Sequence, residues 1–99
     1  MTRTVYSISA IKNILHPVFE THHVRKAILF GSYAKGVAHE NSDVDILVDS
    51  GLKGLAFFGL LEDVVTALDK PVDLIDVTQV MPDSPVEREI AGSGVGIYG

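Results

Sequence analysis

The segment Asp43-Val44-Asp45-Ile46-Leu47-Val48-Asp49 constrains the fold more than any other, because it alternates with a period of two. Successive side chains of an extended strand point to opposite faces. Val44, Ile46 and Val48 therefore share one face, and Asp43, Asp45 and Leu47 share the other. The apolar face demands a covering layer. The two carboxylates, about 6–7 Å apart along the strand, must be left to water, a cation or a ligand. A chain of 99 residues builds one domain around one such sheet.

The rest of the chain supplies the partners for that strand. Val24 to Phe30 reads as a second strand that ends abruptly at Gly31-Ser32, and Val72-Asp73-Leu74-Ile75-Asp76-Val77 reads as a third, set off by Pro71. Ile8, Ile11, Ile14, Leu15, Val18 and Phe19 recur at helical spacing over residues 8–22, with Ser7 as N-cap, and Pro17 is expected to kink or split that helix. A short helical turn is expected over Tyr33 to Val37, then a polar loop through His39-Glu40-Asn41-Ser42. A long helix from about Lys53 to Lys70 is expected to place Leu55, Phe58, Leu61, Val65 and Leu68 on its core stripe. Ser84-Pro85-Val86-Glu87 is a capping-box start for a last helix, which Gly92-Ser93-Gly94 should stop. Val95 to Gly99 reads as a short strand or an ordered tail. The order predicts an α/β (α+β) domain over residues 1–99, a small mixed sheet of three or four strands flanked by helices.

Composition removes several function classes. The chain has no cysteine, so neither a disulfide framework nor a thiolate metal site is available. Met1-Thr2-Arg3-Thr4 leads into no signal peptide, and no run approaches the ~18 apolar residues of a membrane span. A soluble, cytoplasmic protein without a membrane partner is the expectation. Net charge is −5 with only eight Lys or Arg residues, which argues against stable binding of duplex nucleic acid. It says nothing against a nucleotide carried in with divalent cations. The four histidines lack zinc-site spacing and read as surface residues.

Three features carry chemistry. Asp43 and Asp45 project from one strand face, where two anions repel unless a cation bridges them. Mg²⁺ favours such a pair, since it takes hard oxygen ligands from one or two carboxylates plus substrate phosphates. An isolated Asp-x-Asp is ordinarily just a solvated strand face. Gly31-Ser32 adds a strand-to-helix junction whose backbone N–H groups and hydroxyl suit a phosphate. No Gly-x-x-x-x-Gly-Lys is present, so the chain is not a P-loop NTPase. Asp73 lies between apolar neighbours and could complete a three-carboxylate cluster if its strand lies beside Asp43 to Asp49. Asp76 falls on the opposite face by parity.

Together these features resemble the minimal nucleotidyltransferases of the DNA-polymerase-β superfamily. Gly31-Ser32-Tyr33-Ala34-Lys35-Gly36, a ten-residue spacer, Ser42-Asp43-Val44-Asp45-Ile46-Leu47-Val48 and the later Val72-Asp73-Leu74-Ile75 match that family's pattern. The closing Ile97-Tyr98-Gly99 also looks like the ending of many such proteins. The resemblance implies a polymerase-β-like core in which Gly31 and Ser32 bind a nucleoside triphosphate. Asp43, Asp45 and Asp73 would be the catalytic acids and hold two Mg²⁺ ions. Asp73 would also help activate an acceptor hydroxyl, and Lys35, where many relatives carry Arg, would contact phosphate. The reaction would be in-line attack on the α-phosphorus of ATP with release of pyrophosphate.

Larger members of the superfamily bind their acceptors with extra domains, for which this chain has no residues left over. It looks like the stand-alone antitoxins paired with helical HEPN ribonuclease toxins. Such proteins are implied to transfer AMP to a toxin tyrosine, to bind the toxin directly, or both. Transfer to a small molecule or an RNA end is the further alternative. The uncharged Leu55-Ala56-Phe57-Phe58-Gly59-Leu60-Leu61 carries more apolar surface than one core stripe needs. It could meet the core, a partner or a second copy of the chain, as a homo-oligomer, and Phe57→Asp is the substitution expected to tell core from interface.

Overall fold

The structure, a computed structural model, describes residues 3–99; Met1 and Thr2, the start of the segment read as lacking a signal peptide, lie outside them. Strands β1 (Lys26–Phe30), β2 (Val44–Asp49), β3 (Val72–Asp76) and β4 (Val95–Tyr98) form one sheet in the order β3-β2-β1-β4. β1 pairs antiparallel with both β2 and β4, while β2 and β3 run parallel. The sheet is therefore mixed, as expected. The parallel pair needs a crossover connection, which the helix between β2 and β3 provides.

Helices α1 (Ile8–Thr21) and α3 (Leu55–Leu68) pack against each other, α1 also against β4 and α3 against β3. Ile11, Leu15 and Phe19 of α1 and Leu60, Val64 and Leu68 of α3 are buried with Val44, Ile46 and Val48 of β2 and Leu29 of β1. The alternation read from β2 is thus realised: its three valine and isoleucine positions are sealed from water, and its aspartates face the other way. Ser7 caps α1 by accepting from the Ala10 N–H at 3.0 Å. The helix is not split at Pro17 and runs on to Thr21. Proline removes one backbone hydrogen bond, and buried Leu15 and Phe19 on either side of it hold the helix in place.

The expected stripe of α3 is corrected. Leu55 is 89% exposed and Phe58 55% exposed, whereas Leu60, Val64 and Leu68 are fully buried. Of the five residues assigned to the core, only Leu68 is fully enclosed; Leu61 and Val65 are half-buried. Phe57 is half-buried beside Leu74 and Gln79, so it is less suited than Phe58 to probe the exposed face.

The other face of the sheet carries α4 (Pro85–Ser93), which packs against β1 and against the short helix α2 (Gly31–Lys35), whose Tyr33 joins the α1/α3 core. Ser84 caps α4 by accepting from the Glu87 N–H at 3.2 Å. The Glu87 carboxylate reaches back to the Asp83 N–H rather than to that of the cap itself. The helix runs through Gly92 and Ser93 and stops at Gly94, where an added Cβ would lie 2.9 Å from Ile28 and crowd the Ile90 carbonyl. Residues 95–98 then form a true strand.

Candidate functional site

Register brings the acidic residues together. Phe30 of β1 pairs with Asp45 of β2, and Asp45 pairs with Asp73 of β3. Paired residues on neighbouring strands, about 4.8 Å apart, point to the same face. Asp45 and Asp73 therefore stand side by side on the face opposite the α1/α3 core. Asp43 comes just before β2, at the parity of Asp45, and is exposed like Asp73. Asp45 is half-buried.

What half-buries Asp45 is the junction after β1. Gly31 opens α2 directly, two residues earlier than the sequence pattern placed that helix, and has φ +72°. Its backbone lies so close to Asp45 that a Cβ would collide with the carboxylate, 3.0 Å from Cγ and 3.3 Å from Cβ. Glycine is thus required twice, for its left-handed backbone and for the missing side chain. Ser32 follows at the start of α2, half-buried.

The electrostatics match this crowding. Burial raises the Asp45 carboxyl first, and the negative charges of Asp73, Asp43 and Glu89 add to it, taking the pKa to about 6. Glu89, on α4, was missed in the sequence reading. Its carboxylate also accepts from Lys35 Nζ at 3.0 Å, so the lysine beside Gly31-Ser32 is engaged by an acid. The capping motif located α4 along the chain, but no local pattern says which of its faces meets α2.

Asp76 has the separate fate that parity implied. It is buried and accepts from the Ser50 N–H (3.1 Å), Ser50 Oγ (2.6 Å), the Thr78 N–H (3.0 Å) and Thr78 Oγ1 (2.7 Å). Burial acts to raise its pKa, and the four hydrogen bonds outweigh it and lower the value to about 2. It ties the end of β2 to the 3₁₀ turn Val77–Gln79 and has no free lone pair to spare for chemistry.

Among the described residues no group of three or more His, Cys, Asp or Glu side chains is arranged to enclose a metal ion. The donor set nonetheless fits Mg²⁺, which takes one or two carboxylates and completes its shell with water and substrate phosphates. Mutually repelling carboxylates around a half-buried aspartate are what such a cation relieves.

Known proteins resemble this chain over most of its length. Residues 11–99 match the family described as polymerase beta nucleotidyltransferase. The chain is 34% identical over 79 residues to a protein of Methanocaldococcus jannaschii named as a candidate protein adenylyltransferase, covering 77% of this chain and 84% of that one. It is 45% identical over 51 residues to the protein adenylyltransferase MntA of Shewanella oneidensis, covering 50% of this chain and 37% of MntA. Its fold is similar to that of a chain in a toxin–antitoxin complex crystallised with AMP-PNP, with a TM-score of 0.73 and 30% identity over 89% of this chain and 73% of the other. It is also similar to a chain in the complex of a tri-AMPylated Shewanella oneidensis HEPN toxin with an MNT antitoxin, with a TM-score of 0.68 and 25% identity over 93% and 72% of the two chains.

Proposed function

The chain belongs to the polymerase beta nucleotidyltransferase family, and from that premise we propose that it is an antitoxin that transfers AMP from ATP to a tyrosine of a helical HEPN-type toxin in the cytoplasm. The observation that carries this reading is the row formed by Asp45 and Asp73 across β2 and β3, closed on one side by Gly31. A protein that only bound its partner would have no use for carboxylates gathered across two strands beside a glycine whose position admits no side chain.

The Gly31 and Ser32 N–H groups and the Ser32 hydroxyl donate to the triphosphate. Lys35 leaves Glu89 for a phosphate oxygen, exchanging one anion for another. Asp43, Asp45 and Asp73 would hold Mg²⁺, two ions on this proposal, and the metal would supply positive charge to offset that of the phosphates. Asp73 accepts the proton of the acceptor hydroxyl. The hydroxyl oxygen forms a bond to the α-phosphorus as the bond from that phosphorus to the α,β-bridging oxygen breaks, and pyrophosphate departs with those electrons.

The alternative antitoxin acts by contact alone, and the exposed Leu55 and Phe58 would serve either mode. Replacing Asp43 and Asp45 together by Asn separates the two. The variant is expected to lose at least 100-fold in AMP transfer and to lose toxin neutralisation with it, a loss of ~2.7 kcal/mol or more in transition-state stabilisation. Undiminished neutralisation by a transfer-dead variant would establish the contact mode instead.

A further inference from the structure

Lys70 is only 1% exposed and ranks among the largest fully buried side chains of the molecule. Its Nζ donates to the Glu40 carbonyl at 3.1 Å. An ammonium carries three donors, and burying one is costly; a Met or Leu of similar volume ordinarily serves a small core better. A buried lysine calls for a reason beyond packing.

Its place in the fold supplies one. Lys70 follows the C-cap of α3, Asp69, and precedes Pro71, whose carbonyl accepts the Val44 N–H at 3.1 Å as β2 and β3 come together. Glu40 lies in the connection from α2 to β2, three residues before Asp43. That connection folds on itself: Ser42 N–H donates to the His39 carbonyl at 2.9 Å, His39 N–H to Ser42 Oγ at 2.9 Å, and Asn41 N–H to His39 Nδ1 at 3.2 Å. The Lys70 bond ties this closed turn to the body of the protein across 30 residues of sequence.

We propose that Lys70 is a positioning residue for the acidic site: its buried ammonium pins the turn before Asp43 and so sets where the Asp43 carboxylate stands beside Asp45 and Asp73. Asp45 and Asp73 are placed by strand register, whereas Asp43 precedes β2 and depends on the turn that leads into it. The inference rests on the reading of Asp43 as a metal ligand, and the experiment keeps the two apart.

The test is Mn²⁺ binding to the whole chain with AMP-PNP present, followed by electron paramagnetic resonance, alongside the melting temperature of each variant. Lys70→Met is expected to raise the Mn²⁺ half-saturation concentration about tenfold without lowering the melting temperature. Lys70→Arg, which keeps a donor, should stay within about threefold of the parent. A glycine inserted between Asn41 and Ser42 leaves Lys70 and Glu40 paired but uncouples them from Asp43, and should reproduce the loss even if Lys70→Met does not fold. Unchanged Mn²⁺ affinity in the folded Lys70→Met protein, or in the insertion variant, would overturn the proposal. Asp43→Asn is the control: if it too leaves Mn²⁺ affinity unchanged, the metal-ligand reading of Asp43 has failed, not the pin alone.

Discussion

Burial, then the charges of Asp73, Asp43 and Glu89, raise the Asp45 carboxyl from 3.8 to about 6. Between those two values the folded chain binds more protons at this position than the unfolded chain does. Stability without metal therefore falls as pH rises from about 4 to 6 and stays lower above that. Asp45→Asn removes the charge and keeps the shape. It is expected to raise stability at pH 7 by about 1 kcal/mol, a figure discounted for the half-exposed position. For a chain of this length that corresponds to a melting temperature about 4–8 °C higher. Thermal denaturation of both proteins at pH 4 and pH 7 in chelator checks it: the gain should appear at pH 7 and shrink at pH 4. A melting temperature that falls equally at both values would mean that Asp45 is a structural acid. The same carboxylate was legible in the sequence because a period of two leaves one solution. Val44, Ile46 and Val48 must go inward, so Asp43 and Asp45 cannot. Glu89 and Lys70 were not legible, since their roles depend on which helix faces and which turns meet across the fold.

Among the elements, α3 shows why pattern alone falls short. Its residues offer two apolar stripes, one through Leu55, Phe58, Leu61 and Val65 and one through Phe57, Leu60, Val64 and Leu68. Helical spacing fits both, and only the position of the sheet and of α1 decides that the second is the inner one. The α4 cap, by contrast, was readable, because Ser84, Pro85 and Glu87 act within one turn. The outward stripe leaves Leu55 and Phe58 in water, and a pocket bordered by Phe58, Leu61, Glu62 and Val65 lies along it. If that stripe is the toxin-binding face, Phe58→Asp should weaken the complex about tenfold, or ~1.4 kcal/mol. Being a surface change, it should shift folding stability by no more than about 0.5 kcal/mol. Calorimetric titration with the cognate helical protein measures the first, and thermal denaturation the second. Unchanged affinity would move the interface elsewhere. A dimer of the parent chain that becomes monomeric on the same substitution would assign the face to a second copy.

At the scale of the molecule, the mixed sheet divides the protein into two sides. One is a sealed α1/α3 core, and no described helix is long and apolar enough to cross a membrane. The other presents carboxylates beside the Gly31-Ser32 junction, with α2 and α4 at its border. Net charge of −5 suits a cation-accompanied nucleotide better than a nucleic-acid backbone. Transfer of AMP to the partner is read most simply by intact-mass spectrometry of the cognate helical protein after incubation with this chain, ATP and Mg²⁺. The partner is expected to gain one or more AMP units, and to gain none when Asp43 and Asp45 are both Asn. An unmodified partner in a stable complex would contradict it and leave neutralisation by contact as the function.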